Sequence, residues 1–171
     1  MGSVGGVTVR KKAEAVVRDR EAWYRVLVEN APEAVVVYDA DQGRFVDCND
    51  NAVAFFKMSR QDLLAVGPRE VSPPIQADGK PSFDSGRGHV ELALQGGSPV
   101  FEWMYRDGDA RELPCEVRLV RIPSSRGNLL RASIIDITDR KRAENVAAGE
   151  RKVFEKIASS AGLPDTLESI T

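Results

Sequence analysis

One histidine, two cysteines and no long apolar run set the first limits on this chain of 171 residues. With His89 alone, a metal site built from several imidazoles is excluded within one chain, and no metal is expected. Cys48 and Cys115 lie far apart, each in an expected strand, and neither has a candidate base beside it in the sequence. Buried free thiols are the expectation, ahead of a disulfide or a nucleophile. Nothing approaches the apolar length that crosses a bilayer, and no secretory signal pattern opens the chain, so the cytoplasm is the expected compartment. A glycine-rich phosphate loop is missing too. Charge of one sign is also lacking: 24 Lys and Arg against 26 Asp and Glu leave −2. That balance gives no reason to expect nucleic acid or an anionic membrane as partner.

What is present is organised around Ser133-Ile134-Ile135-Asp136-Ile137-Thr138-Asp139-Arg140-Lys141-Arg142-Ala143-Glu144. Its first half ends an apolar, branched run over residues 129–137 that suits a strand. From Thr138 the sequence turns charged and helix-favouring, to about Ser160. A strand therefore passes directly into a long helix, and Asp136, Thr138 and Asp139 are placed to cap that helix and complement its dipole. So short a link makes a stiff mechanical connection.

Residues 1–6 are small and glycine-rich, part of them a candidate cloning remnant. Residues 9–29 read as a helix, with Val9, Ala13, Val16, Trp23 and Leu27 on alternating steps of four and three and Arg20 at the sixth position. Two readings stay open there: a heptad seam for a partner helix, or an amphipathic helix lying on its own sheet. Pro32 breaks the helix. Residues 34–38 and 44–48 read as a hairpin across the turn 39–43. Asn49-Asp50-Asn51 supplies caps for a short helix carrying Ala52, Val53, Phe55 and Phe56, and Ser59 with Asp62 resembles a capping box.

Residues 67–80, rich in Pro and Gly, should hold little regular structure. A helix from Ser82 or Asp84 to Gln95 puts Phe83, Gly86, Val90, Ala93 and Leu94 on the face toward the sheet. Three strands follow, over 100–106, 113–122 and 129–137. Phe101, Trp103 and Tyr105 share one side of the first; Leu113, Cys115, Val117 and Leu119, then Leu130, Ala132 and Ile134, point inward from the others. In the last helix Ala143, Val146, Val153 and Ile157 again step by three and four.

Two strands, several short helices and three consecutive antiparallel strands make an α+β domain, with short helices on one face of a five-stranded antiparallel sheet. That order, and the exit motif Asp136-Ile137-Thr138-Asp139-Arg140-Lys141-Arg142-Ala143-Glu144, resembles PAS sensory domains over roughly residues 23–144. Asn49 with Ala52 resembles the family's Asn-x-x-Ala step after the second strand. Ser72-Pro73-Pro74-Ile75-Gln76-Ala77-Asp78-Gly79, Phe101-Glu102-Trp103 and Asp107-Gly108 are similar to a common bacterial sensory-box subgroup. The expected organisation is a coiled-coil-like linker helix over 1–29, a PAS domain over 30–138, and a signalling helix with the start of a next domain over 139–171. Residues 6–14 line up with 136–144, with Thr, Arg, Lys, Ala and Glu matching in place, and read as the tail of a preceding sister domain. Residues 150–171 are similar to the helical entry of a GAF domain.

The resemblance implies a sensor and dimerisation module of a bacterial signalling protein, of the two-component or cyclic-di-GMP kind, that regulates a remote output domain through the helix leaving Thr138. Asp136, Thr138 and Asp139 are then the relay junction. Val9, Ala13, Val16, Trp23 and Leu27, with Ala143, Val146, Val153 and Ile157, are the seam of a homodimer. The remaining partners are neighbouring domains of the same polypeptide. The resemblance also implies a cavity between sheet and helices, lined by Phe56, Val90, Leu94, Phe101, Trp103, Cys115, Val117 and Ile134. A small-molecule ligand there and a filled core that serves only as dimer scaffold both stay open.

No cofactor is expected. The flavin-photochemical branch needs a Cys inside Asn-Cys-Arg-Phe-Leu-Gln, whereas Cys48 precedes Asn49 here and the rest is missing. Haem-binding relatives use a His on the helix before the third strand. His89 lies on that helix but about 100° around from Val90, on the flank of the inward face. Gly96-Gly97-Ser98-Pro99-Val100 is similar to the Gly-Gly signature of diguanylate cyclases, without the acidic residues that hold their metal. No catalysis is expected of this chain.

Overall fold

Branched, alternating sequences become strands and the charged or small-residue stretches become helices. The computed structural model describes residues 3–161 as α1 (Ser3–Glu29), β1 (Ala34–Asp39), β2 (Arg44–Cys48), α2 (Asp50–Phe56), α3 (Arg60–Leu63), α4 (Ser82–Leu94), β3 (Val100–Arg106), β4 (Glu112–Ile122), β5 (Leu129–Asp136) and α5 (Thr138–Ser160). The chain falls into two units, one up to Ile135 and one from Asp136. Elements match the sequence expectation to within a residue or two, except that α1 begins at Ser3 rather than Val9. The C-terminal part of the GAF-like entry, from residue 162 on, lies outside the described residues.

The first unit is built on a five-stranded antiparallel sheet in the order β2-β1-β5-β4-β3. Its register sets Val36 opposite Cys48 on one side and Ala132 on the other, and Trp103 opposite Cys115. On the helix-covered face Val36, Cys115, Val117, Leu130 and Ile134 pack with Phe45 and Phe56 into one buried cluster. β1 is apolar from Ala34 to Val37 because it is covered twice: Ala34 and Val36 join that core, while Val35 packs with Val28 and Ala31 on the opposite face.

α1 resolves the two readings of its stripe only at its last turn. Val28 is buried, yet every other described side chain from 8 to 29 is exposed, with Trp23 70% accessible. An amphipathic helix lying along its own sheet is thereby corrected: one turn docks, and Val9, Ala13, Val16, Trp23 and Leu27 are exposed. In the second unit α5 has no buried residue, so Ala143, Val146, Val153 and Ile157 are exposed as well.

The face of α4 also differs from expectation. Phe83 is 60% exposed, under the Arg69 guanidinium 5.4 Å from its ring centre. Ser82 takes the inward place, donating to the Pro73 carbonyl and accepting from Gln76. The inward face then runs through Gly86, Val90 and Ala93, with the Trp103 ring 3.5 Å from where a Gly86 Cβ would stand, an ordinary contact distance. Phe83, one step of about 100° from Ser82, is left outside.

The Pro- and Gly-rich segment before α4 shields the β3 edge. Gln76 uses its side-chain amide as a backbone surrogate, accepting from the Met104 N–H at 2.7 Å and donating to the Met104 carbonyl at 3.2 Å. The Arg106 N–H donates to the Val71 carbonyl at 2.7 Å. An otherwise open strand edge is thus partly blocked against pairing with another chain.

At the other edge, the Phe45 N–H donates to the Val66 carbonyl at 2.9 Å and brings Gly67 onto the β1–β2 turn. A Cβ on Gly67 would stand 2.1 Å from the Gly43 carbonyl oxygen. Gly67→Ala should therefore cost about 1–3 kcal/mol, as overpacking against backbone does. Thermal melting checks this, and an unchanged midpoint would contradict the packing described.

Candidate functional site

The eight residues expected around a cavity are brought together. Phe56, Trp103, Cys115, Val117 and Ile134 are buried, and Val90, Leu94 and Phe101 pack half-buried against them. The aromatic rings meet edge to face: Phe56 and Tyr105 centres are 5.3 Å apart, Phe101 and Trp103 5.8 Å. Polar atoms on this face are committed to the protein. The Cys115 thiol donates to the Trp103 carbonyl at 3.2 Å, and the Trp103 indole N–H to Ser72 Oγ at 2.9 Å. Burial pushes the Tyr105 phenol far up, which keeps it neutral.

His89 sits half-buried on the rim of this face. Its ring lies flat on Phe101, centres 3.6 Å apart, and edge-on to Trp103 at 6.3 Å. Burial lowers its pKa, so the folded chain favours the neutral imidazole. That contribution is fully present above the unfolded value near 6.5 and is lost as pH falls through the lower folded value. Urea unfolding at pH 7.5 and pH 5.5 should therefore show a smaller acid loss for His89→Gln than for the unmodified chain. Identical pH dependence would contradict this.

Both cysteines are free and buried. Burial pushes the Cys48 thiol up despite the opposing charge of Arg60, so it is a poor nucleophile. Beside it, a cleft of about 370 Å³ opens between the second half of α1 and the end of β2. Glu21, Tyr24, Arg25 and Glu29 form one wall, Asp47 and Arg60 the other. Arg60 is already engaged, donating to the Cys48 carbonyl at 2.6 Å and to Asp50 at 3.2 Å. This cleft has no counterpart in the sequence expectation and shares no lining residue with the predicted cavity.

Asn49 does more than its sequence position as a cap suggests. It is fully buried, and its Oδ1 accepts from the N–H groups of Ala52, in the first turn of α2, and of Val35 in β1, both at 2.9 Å. Its Nδ2 donates to the carbonyls of Val28 and Glu33, both at 3.0 Å. All four valences of the carboxamide are filled by backbone from four different segments. Asn51 adds a bond to the Ala31 carbonyl at 2.8 Å. The Asp107-Gly108 turn closes the other end of α2, with the Gly108 N–H donating to the Phe56 carbonyl at 2.8 Å.

The junction differs in detail from the expected caps. Ile137, not a polar residue, occupies the N-cap, and no side chain caps there. Asp136 Oδ1 accepts from the Thr138 N–H at 2.8 Å and also from the Thr138 hydroxyl. Thr138 is therefore a donor to Asp136 and satisfies no free amide. Asp139 is exposed in the first turn and lies 4.0 Å from Arg142, so it acts on the dipole rather than as a cap. At α3 the cap does form: Ser59 Oγ accepts from the Asp62 N–H at 3.1 Å, but the Asp62 carboxylate receives the Ser59 hydroxyl, not the backbone N–H of a reciprocal box.

Residues 28–142 match the protein family described as PAS fold. No curated protein matches the sequence. Among solved structures, the chain is similar to the PAS domain of an HTR-like protein from Haloarcula marismortui, at 23% identity and TM-score 0.56, over 74% of this chain and 99% of that one. It is similar to a domain of a sensory box sensor histidine kinase/response regulator from Geobacter sulfurreducens, at 21% identity and TM-score 0.54, over 68% and 95%. A third is the PAS domain of a LuxR-family transcriptional regulator from Burkholderia thailandensis, solved in complex with ethanol, at 19% identity and TM-score 0.54, over 67% and 97%.

Proposed function

The chain belongs to the PAS family, and we propose that it is a sensor and dimerisation module regulating a remote output domain, a histidine kinase or a cyclic-di-GMP enzyme, in a bacterial signalling protein. The observation that carries this is α5. A helix of 23 residues follows the last strand after one intervening residue, buries nothing in its own chain and carries Val146, Val153 and Ile157 exposed. Such a helix needs a partner surface to be stable. A second copy supplies it, and the same helix carries the change onward. The repeat of 136–144 at 6–14 supports an equivalent domain upstream.

In this proposal a small guest between sheet and helices biases the equilibrium between two arrangements of α5. The apolar, aromatic walls support a guest of that kind, as does the ethanol held by the Burkholderia thailandensis relative. The proposal assigns no cofactor and no catalysis to these residues. Purified chain should dimerise in light scattering and be colourless, and native mass spectrometry should find a small organic molecule retained. A Soret or flavin band would overturn the cofactor-free reading. A bare mass with a full core would leave the module a dimer scaffold.

A further inference from the structure

Three carbonyls, that of Val28 in the last turn of α1 and those of Ala31 and Glu33 in the short connection to β1, accept hydrogen bonds from asparagine side chains at the start of α2. Asn49 supplies two and Asn51 one, while the Asn49 oxygen simultaneously holds the Val35 and Ala52 amides. Beyond this connection α1 is held by little. Val28 is its one buried side chain among those described, with Tyr24 partly covered beside it. Long stretches of exposed helix thus hang from a turn that is tied to α2 as firmly as to the sheet.

We propose that Asn49 and Asn51 form an input clasp, coupling the position of α1 to the position of α2. This rests on the proposed function in one respect, that α1 is where an upstream domain delivers its change. A bend or rotation of α1 pulls first on the Val28, Ala31 and Glu33 carbonyls. The clasp passes that pull to the first turn of α2, whose far end places Phe56 in the core and holds the β3–β4 turn through Gly108. The core between sheet and helices then feels the upstream state without α1 touching it. Asn49 and Asn51 are positioning residues in this device.

The two asparagines can be tested separately in the whole chain. Asn51 is exposed, so Asn51→Ala removes the one tie to the Ala31 carbonyl and leaves the Asn49 bonds to Val28 and Glu33 in place. Spin labels at Arg18→Cys and Gln95→Cys, diluted into unlabelled protein, report the position of α1, since both native cysteines are buried. The expected result is a distance distribution about twofold wider with an unchanged melting midpoint. An unchanged width overturns the clasp. Asn49→Asp keeps the acceptor for Val35 and Ala52 but sets a carboxylate against the Val28 and Glu33 carbonyls. Hydrogen exchange at the Asn30 and Ala31 amides should then accelerate on the order of tenfold more than at Ala52 and Val53. Uniform acceleration would mean a purely structural residue and overturns the proposal, as would no acceleration at Asn30 and Ala31. If Asn49→Asp does not fold, the Asn51→Ala distances decide alone. Neither measurement needs an upstream or output domain, so a clasp that holds in a protein whose output ignores this domain would sink the proposed function and leave the clasp standing.

Discussion

Lysine at both Val153 and Ile157 should convert the proposed homodimer to monomer in light scattering, while the melting of the sheet domain stays where it was. Both side chains are more than half exposed on α5, and neither is used inside its own chain. In a symmetric dimer each substitution acts twice. Burying a Val or Ile is worth about 1.5–3 kcal/mol, so the lost burial alone weakens association far more than a hundredfold. Four lysines brought toward one seam add repulsion. Trp23→Arg on α1, 70% exposed, extends the same logic to the other seam. A double-lysine chain that dimerises as tightly as the unmodified one would place the interface elsewhere.

Asp136→Ala should leave a folded domain that no longer answers its stimulus. Asp136 alone among the junction side chains accepts the first α5 amide, that of Thr138. Losing a bond of this kind costs roughly 0.5–2 kcal/mol, against a typical domain stability of about 5–15 kcal/mol. The fold survives, but the start of α5 is less sharply determined. Thr138→Ala should do less, because the Thr138 hydroxyl donates to Asp136 instead of holding an amide itself. Melting curves of the three chains would order them: unmodified, Thr138→Ala, Asp136→Ala.

The sheet was legible because its signals are local and repeated. Leu113, Cys115, Val117 and Leu119 alternate inward along β4, and turn residues bound every strand. The expected cavity residues also gathered into one cluster, since each is fixed by the face of its own element. Phe83 lies outside although hydrophobicity ranks it above Ser82, because the Ser82 hydroxyl holds the inward place through its bonds to Pro73 and Gln76, partners distant enough to leave no local pattern. Thr138 went wrong because a hydroxyl beside a carboxylate donates rather than caps. Asn49 was visible as a cap of α2, but its bonds to Val28 and Glu33 join residues far apart in sequence and leave no periodic trace. Gln76 standing in for a strand backbone at Met104 is of the same kind. The stripe on α1 could not separate a partner helix from its own sheet, since both read one apolar face.

The proposed relay through the β5–α5 junction is tested most directly in a signalling protein that carries this chain, by its output with and without stimulus for the unmodified and Asp136→Ala forms, beside melting of the isolated chain. The account predicts that Asp136→Ala melts close to the unmodified chain and gives the same output in both conditions. A full stimulus response from a well-folded Asp136→Ala protein would show that the signal does not pass through this junction.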